Sequence, residues 1–136
     1  MKDNWKNKVL ISLGSNQNPE FNIKLAKKRI SETFQVLKWS SFCVTEAVSE
    51  LPQKPFLNGV VLIETEKPLP EMQAQLKSIE DIHHRDRQNP LFVTLDLDIL
   101  MWNGAVVHDD VTEKEYLKEM ILEVCPDYKV SPPSIK

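Results

Sequence analysis

The chain has 136 residues, and its 41% apolar content is enough to bury one core, so we expect a single domain over residues 1–136. Seventeen Lys and Arg against twenty Asp and Glu give a formal charge of −3, which argues against a general nucleic-acid or membrane-surface binder. Cys43 and Cys125 are far apart and lack metal-ligand spacing, which disfavours a disulfide scaffold or a zinc site. Because we see neither a membrane-length apolar run nor an export signal, we expect a cytoplasmic protein.

The first segments predict a strand followed by a helix. Residues 9–13 form a short apolar, β-rich run that closes at Gly14, as expected for a buried strand leading into a turn. Asn18 is a good N-cap and Pro19 suits the first helical position, and apolar residues follow at three- and four-residue spacing. The pattern therefore predicts a helix over about residues 19–35.

Two further strands are predicted in the middle of the chain. Residues 36–48 and 56–64 are rich in β-branched and aromatic side chains, which is typical of strands. Between them lies a polar, proline-bearing stretch over residues 49–55. We expect this stretch to be a mobile loop that joins the two strands.

A second helix and another strand follow. Pro68 and Pro70 open an apolar stripe at helical spacing that ends near residues 83–87. Residues 94–100 alternate with period two and predict a strand. After an Asn-Gly turn, a shorter strand is expected over residues 105–108.

Thr112 and Glu115 form a capping-box pair for a last helix, which Pro126 stops. Residues 1–7 and 127–136 are expected to be flexible ends. The element order is thus β-α-β-β-α-β with an added C-terminal hairpin and helix, which predicts an α+β protein with a ferredoxin-like sandwich.

Asp96 and Asp98 are the first residues that suggest chemistry. They are two apart on a predicted strand, so both side chains leave the same face. Two carboxylates there repel each other unless a cation lies between them, and Mg²⁺ binds carboxylate oxygens together with phosphates and waters. The alternative is a pair of aspartates on an edge strand that faces water.

Arg85 and Arg87 lie upstream of this strand, across a short loop, and could fold back over a polyphosphate held by the carboxylates. With three glycines in the chain and no phosphate-loop motif, a P-loop or Rossmann phosphate site is excluded. The alternative for the arginines is a solvated helix end that counters the helix dipole. His83 and His84 are interpreted as surface or helix-end residues rather than metal ligands.

Phe56 and Asn58 follow the mobile loop and open a strand. An asparagine amide can pair with the donor–acceptor edge of a heterocycle, and an aromatic ring can stack on its face. A core phenylalanine and a turn asparagine are the alternative interpretation.

Taken together, six blocks of this sequence resemble 6-hydroxymethyl-7,8-dihydropterin pyrophosphokinase of folate synthesis, over about residues 8–126. The blocks are Leu13-Gly14-Ser15-Asn16, Ser40-Ser41-Phe42, Phe56-Leu57-Asn58, Ile79-Glu80, Arg85-x-Arg87 and Thr94-Leu95-Asp96-Leu97-Asp98-Ile99-Leu100. The resemblance implies an enzyme that transfers the β,γ-pyrophosphoryl group of ATP to the hydroxymethyl oxygen of the pterin and releases AMP. It also implies two Mg²⁺ ions.

The resemblance implies roles for individual residues. Asp96 and Asp98 match the metal-binding aspartates of the family, and Arg85 and Arg87 match arginines that contact the triphosphate. The other matches are pterin contacts at Thr45, Phe56, Asn58 and Tyr116, a residue near the nucleotide at Glu80, and the turn beneath the phosphates at Gly14.

The sequence also departs from the family pattern. The Gly-Pro-Arg before Thr-Leu-Asp-Leu-Asp is replaced here by Leu91-Phe92-Val93, and the loop between Arg87 and Thr94 is shortened. Loss of one charge partner of the transition state costs about 2–4 kcal/mol, so we expect slowed rather than absent chemistry. The Pro-His-Pro segment of the family is missing, and His108 either matches its histidine or lies on the short hairpin strand.

Three functions are therefore weighed. The first is an active Mg²⁺-dependent pyrophosphokinase, acting as a monomer on ATP and 6-hydroxymethyl-7,8-dihydropterin, with no nucleic-acid or membrane partner. The second is a divergent paralogue that binds pterin or nucleotide with little or no turnover. The third is a ferredoxin-like interaction domain in which the aspartate pair faces solvent.

Overall fold

The computed structural model describes residues 6–47 and 49–128, and it confirms an α+β protein. Over these residues, strands and helices form one six-stranded sheet and four helices. The strands are β1 (Asn7–Ser15), β2 (Gln35–Trp39), β3 (Cys43–Thr45), β4 (Phe56–Thr65), β5 (Asp96–Trp102) and β6 (Ala105–Val106). The helices are α1 (Pro19–Thr33), α2 (Leu69–Ile82), α3 (Asp110–Glu113) and α4 (Glu115–Val124). Among the described helices, none combines the length and the apolar character needed to cross a membrane.

The sheet has the order β2-β4-β1-β5-β6, and all its pairings are antiparallel. Strand β3 pairs with the beginning of β4, and β2 pairs with the later part of the same strand. Strand β1 lies at the centre, between β4 and β5. Its position fixes which residues of its two neighbours share a face, because directly paired residues point the same way.

One face of the sheet is covered by α1 and α2. Its core is made of fully buried aliphatic side chains from the centre of the sheet and from both helices, among them Val9, Ile11, Leu13, Ile30, Val61, Ile63, Met72 and Leu95. This continuous core anchors β1, β4 and β5 and so supports whatever their opposite face carries.

The opposite face is covered only in part. Helix α4 packs on one half of it and forms a second core with sheet residues, including Leu10, Val60, Leu100, Met101, Leu117 and Ile121. A bulge in β5 lets both Leu100 and Met101 join this core, because Leu10 pairs with Met101 while Ile11 pairs with Ile99. The other half of this face, toward the beginnings of β4 and β5, is left open.

Several predicted elements differ from the structure at their boundaries. The first strand does not stop at residue 13 but runs to Ser15, because β5 pairs with it as far as Gly14 and β4 as far as Ser15. The strand predicted over residues 36–48 is two strands, because Ser40 intervenes. The Ser40 backbone N–H donates to Val60 O (2.9 Å), and the Val60 N–H donates to Ser40 Oγ (2.9 Å).

The predicted capping box at Thr112 and Glu115 is wrong. Thr112 lies inside the short helix α3, and its hydroxyl donates to the Asp109 carbonyl (3.1 Å). Lys114 has an extended backbone (φ −104°, ψ 109°) that ends α3 and precedes α4. The sequence contains the pattern of a cap, but the helix is broken at Lys114, which lies between the two residues of that pattern.

His83 is at the end of α2, as expected, but it is not on the surface. It is 4% exposed, and its Nδ1 lies 2.9 Å from Asn22 Oδ1 on α1. Burial is the main cause that lowers the pKa of this imidazole, so the neutral form is favoured. The ends expected to be flexible, residues 1–7 and 127–136, lie mostly outside the described residues.

Because α4 closes only half of its sheet face, its contribution to stability should depend on a few buried side chains. We expect Ile121→Ala to lower the free energy of unfolding by about 2–5 kcal/mol, since Ile121 is fully buried in the second core. Leu122 is 42% exposed, so Leu122→Ala should change it by about 0.5 kcal/mol or less. Urea unfolding of both variants measures the difference, and equal losses would contradict this packing.

Candidate active site

A cavity of about 250 Å³ opens on the half of the sheet face that α4 leaves uncovered. Its floor is a row of paired residues in which Gly14 lies between Asn58 on β4 and Asp96 on β5. Two residues further along, Ser12 pairs with Asp98. Since side chains two apart on a strand face the same way, both aspartates and the asparagine share this floor.

Gly14 leaves room for Asn58. A Cβ at this position would lie 2.7 Å from Asn58 Oδ1, closer than two such atoms can approach. The glycine is part of β1 and not of a turn, while its place beneath the phosphates stays a prediction. Its contribution is the space across the central strand into which the Asn58 amide fits.

Four residues that the resemblance linked to the pterin meet at this cavity, and they come from three elements: Thr45, Phe56, Asn58 and Tyr116. Thr45 on β3 pairs with Phe56 on β4, and Asn58 Nδ2 donates a hydrogen bond to Thr45 Oγ1. Tyr116 reaches the cavity from the first turn of α4. Burial, with the negative charge of nearby aspartates, raises the pKa of Tyr116 to about 12, so its hydroxyl remains a hydrogen-bond donor.

The Asp96 and Asp98 side chains are 43% and 32% exposed, so neither is lost in the core. Both line the same cavity and pair with β1 residues two apart, which confirms that both leave one face of the strand. Burial raises the pKa of Asp98 to about 7, and repulsion from Asp96 adds to the shift. Glu80 and Asp110 act in the same direction.

The cavity carries more negative than positive charge. Four carboxylates line it, at Glu46, Asp96, Asp98 and Asp110, and Lys114 is the one lysine or arginine among the described lining residues. Oxygen donors that repel one another are the donor set that a hard divalent cation prefers. Mg²⁺ therefore fits this site on the chemistry of its donors.

The two arginines do not line the cavity, and they differ from each other. The Arg85 guanidinium donates to the Leu95 carbonyl (3.0 Å) and to Asp96 Oδ1 (3.3 Å), which places its charge beside the aspartate pair. Arg87 instead pairs with Glu80 and with Asp81 (2.7 Å), both on α2. The structure thus brings Arg85, but not Arg87, to the aspartates.

Glu80 also lies outside the cavity lining. It is 7% exposed, and its Oε2 accepts the backbone N–H of Leu97 (2.7 Å), the residue between the two aspartates. Burial raises the pKa of this carboxyl, while the Leu97 hydrogen bond and the two arginines oppose that rise. In this structure Glu80 holds the aspartate-bearing strand against α2.

The sequence analysis did not identify Asp110, Lys114, Glu46 or Gln53, all of which line the cavity. His108, for which two places were left open, lies two residues beyond the end of β6 and not on that strand. Its Nε2 is 3.9 Å from Asp98 Oδ2, and its Nδ1 is 3.8 Å from Asp110 Oδ2. No motif marks Asp110, since its position depends on how the chain turns after the hairpin.

A second cavity of about 270 Å³ lies beyond Asp98 and His108. Its walls come from α2, β5 and the segment after β6, and they are mainly apolar: Leu69, Gln73, Leu76, Leu97, Ile99 and Val107. Asp98 and His108 line this space, and Asp98 also lines the first cavity. Asp98 therefore stands between the first cavity, which holds two aromatic rings, and this second, mainly apolar one.

The family model of 7,8-dihydro-6-hydroxymethylpterin-pyrophosphokinase matches residues 10–126. This range contains all the lining residues of both cavities. The chain belongs to this family. The 2-amino-4-hydroxy-6-hydroxymethyldihydropteridine pyrophosphokinase of Haemophilus influenzae is 30% identical over 129 residues, which cover 86% of this chain and 81% of that protein. The pyrophosphokinase transfers pyrophosphate from ATP to hydroxymethyldihydropterin in folate biosynthesis. The resemblance seen in the sequence is confirmed, and the interaction-domain hypothesis is set aside.

The raised pKa of Asp98 predicts how stability depends on pH in protein freed of metal by EDTA. The pKa is about 7 in the folded chain against an ordinary value of 3.8, so the folded state binds this proton more tightly than the unfolded state. The free energy of unfolding should therefore fall as the pH rises from about 4 to about 7. Asp98→Asn should make this fall smaller.

Urea unfolding at a series of pH values checks the prediction. Asp127 is exposed and distant from the cavity, so Asp127→Asn serves as the matched control and should keep the pH dependence of the parent chain. A pH dependence unchanged in Asp98→Asn would show that Asp98 titrates normally.

Proposed function

We propose that this pyrophosphokinase requires Mg²⁺, and that Asp96 and Asp98 would hold two ions that supply positive charge to the phosphates of ATP. The observation that carries the proposal is the placement of both carboxylates on the floor of a cavity that also holds an amide and two aromatic rings. In the reaction, the hydroxymethyl group loses its hydroxyl proton to water, and its oxygen forms a bond to the β-phosphorus. The bond from that phosphorus to the α,β-bridging oxygen breaks, and AMP leaves with that oxygen. When bound, Mg²⁺ supplies positive charge that offsets the charge developing on that bridging oxygen.

The pterin is proposed to bind at the cavity end formed by β3, β4 and the start of α4. The Asn58 amide presents a donor and an acceptor, and its hydrogen bond to Thr45 together with the space over Gly14 fixes its orientation. Phe56 and Tyr116 offer ring faces for stacking on a flat heterocycle. This arrangement turns the hydroxymethyl arm of the pterin toward the aspartates.

The nucleotide is proposed to approach from the opposite side. A triphosphate that lies along Asp96 and Asp98 would place its base toward the apolar cavity beyond His108. Arg85 is already beside Asp96 and can contact the phosphates with little movement. Arg87 would have to exchange its ion pairs with Glu80 and Asp81 for the triphosphate.

Catalysis by the chain itself is then mainly a matter of positioning. The residues hold the pterin oxygen in line with the β-phosphorus, and the cationic side chains neutralise charge on the transferred group. The loops over residues 49–55 and 88–93 are proposed to exclude water from the reacting phosphates. The active form is proposed to be a monomer.

The order of the elements supports a ferredoxin-like sandwich as the finer description of the fold. Counting β2 and β3 as one interrupted strand along β4, the chain runs β-α-β-β-α-β, and α1 and α2 pack on one face of an antiparallel sheet. Strand β6 and the helices α3 and α4 are then additions at the C-terminal side.

A second candidate function is a family member that binds its substrates with little turnover. The observation in its favour is the segment 91–93, which carries no arginine and whose Phe92 side chain is 54% exposed. This segment cannot supply charge to the transition state. Binding of ATP and pterin without release of AMP would support this alternative.

The deciding experiment follows AMP and pterin pyrophosphate from ATP, Mg²⁺ and 6-hydroxymethyl-7,8-dihydropterin. We expect turnover by the parent chain and a loss of about 100-fold or more in Asp98→Asn, because a metal ligand and its charge are removed. Asp127→Asn, which makes the same chemical change far from the cavity, should keep the parent rate. Equal rates in the two variants would rule out Asp98 as a metal ligand.

Lys114 is the one lysine or arginine among the described residues that line the cavity, so it could supply the charge of the arginine that segment 91–93 lacks. Its backbone is fixed on both sides, since its N–H donates to the Asp110 carbonyl (2.9 Å) and its carbonyl accepts the Leu117 N–H (3.1 Å). We expect Lys114→Ala to lower kcat roughly 10- to 100-fold, and Lys114→Arg to restore most of it.

Steady-state kinetics with a matched control test this role. Lys118 lies one turn along α4 and pairs with Glu115 (3.0 Å) rather than lining the cavity, so Lys118→Ala should leave kcat within about twofold. If the Lys114 and Lys118 variants behave alike, Lys114 contributes no charge to the reaction.

A further inference from the structure

We infer that Asn16 is a positioning residue that fastens both active-site loops, residues 49–55 and 88–93, to the end of the central strand. The inference rests on the proposed function for the role of these loops, but its contacts and its main test are independent of turnover. Asn16 follows the last residue of β1 and is 2% exposed. It is therefore a buried polar residue whose hydrogen bonds must all be accounted for.

Asn16 makes several short hydrogen bonds to the loop over residues 88–93, the second of the two loops. Its backbone N–H donates to the Val93 carbonyl (2.9 Å), and its side-chain Oδ1 accepts the Val93 N–H (2.7 Å). Its Nδ2 donates to the Leu91 carbonyl (2.9 Å). The apolar segment that stands in place of the family's Gly-Pro-Arg is thus held by three hydrogen bonds to one residue.

The side-chain amide of Asn16 also forms a hydrogen bond to the loop over residues 49–55, the first of the two loops. Asn16 Nδ2 also donates to the Lys54 carbonyl (3.4 Å). The two loops meet directly as well, because Gln53 Nε2 donates to the Leu91 carbonyl (3.3 Å), and Gln53 lines the cavity. The Leu91 carbonyl therefore joins both loops and the end of β1.

The position of Asn16 requires a side chain that both donates and accepts hydrogen bonds. One side of the group must accept a backbone N–H and the other must donate to two carbonyls, and an uncharged amide does both. A carboxylate can accept from Val93 but cannot donate to Leu91 or Lys54, and an apolar side chain can do neither. Because these backbone groups belong to both loops, losing the amide should release the loops together.

The position of Asn16 at the end of β1 connects the two loops to the residues of the cavity floor. Gly14 lies two residues earlier, in the row that also contains Asn58 and Asp96. Loops fastened at Asn16 are therefore aligned on the same strand that sets the cavity floor. Asn16 thus holds the two loops in a fixed position relative to the row of residues that forms the cavity floor.

Hydrogen exchange of the protein without substrate tests the inference. In Asn16→Ala, exchange over residues 49–55 and 88–93 should quicken together by about tenfold, as expected for the loss of one or two buried hydrogen bonds, while α4 stays protected. In steady-state assays the KM for the pterin should rise about tenfold, with kcat changed less than threefold. A purely structural residue would instead quicken exchange across the whole sheet.

Asn89 provides a matched control. It is exposed, lies in the second loop, and donates to Asp86 (2.7 Å) without reaching the first loop. Asn89→Ala should therefore affect residues 88–93 alone. Should Asn16→Ala not fold, Asn16→Asp keeps the acceptor for the Val93 N–H and should loosen residues 49–55 more than residues 88–93.

The outcomes are separable. If Asn16→Ala changes one loop only, or neither, the inference is overturned whatever the enzyme does. If both loops loosen but the parent chain forms no AMP, Asn16 has the assigned role and the proposed function fails. If both loops loosen and the KM for the pterin does not change, the fastening exists but does not position the cavity walls, and the inference is overturned.

Discussion

The double pairing of strand β1 is the constraint on which the rest of the molecule depends. The same strand sets its register with β4 through Gly14 and Asn58 and with β5 through Gly14 and Asp96. A slip of one residue on either side would turn the polar side chains toward the core under α1 and α2 and expose the aliphatic ones. Since that core is continuous and fully buried, the hydrophobic effect that stabilises the fold also keeps the aspartates and the asparagine on the open face.

The carboxylates on the open face of the sheet repel one another, which indicates that this face binds a positively charged partner. Carboxylates that face one another in a partly buried cavity destabilise a protein unless a positive partner joins them. The chain keeps Asp98 there although burial and Asp96 both oppose its ionisation. Behind the strand, Glu80 accepts the Leu97 N–H and the arginines balance its charge, so that the backbone carrying the two aspartates cannot relax away from the repulsion.

Sequence reasoning found the part of the site that follows from local periodicity. The alternation around Asp96 and Asp98 gave their common face, and the blocks around Phe56 and Asn58 gave the side opposite them. It could not find Asp110 or Lys114, because their approach depends on a helix break after the hairpin that the apparent capping pair concealed. The ion pairs of Arg87 were likewise out of reach, since they require knowing that the loop turns back onto α2.

The break at Lys114 also determines which elements form the wall of the cavity. Had α3 and α4 formed one helix, Asp110 and Tyr116 would lie on one continuous cylinder about 10 Å across. The extended backbone at this residue instead makes α3 and α4 two elements, and both contribute lining residues. The wall and the floor therefore belong to different parts of the chain, so that an insertion at this junction would reshape the wall without changing the strand pairing beneath it.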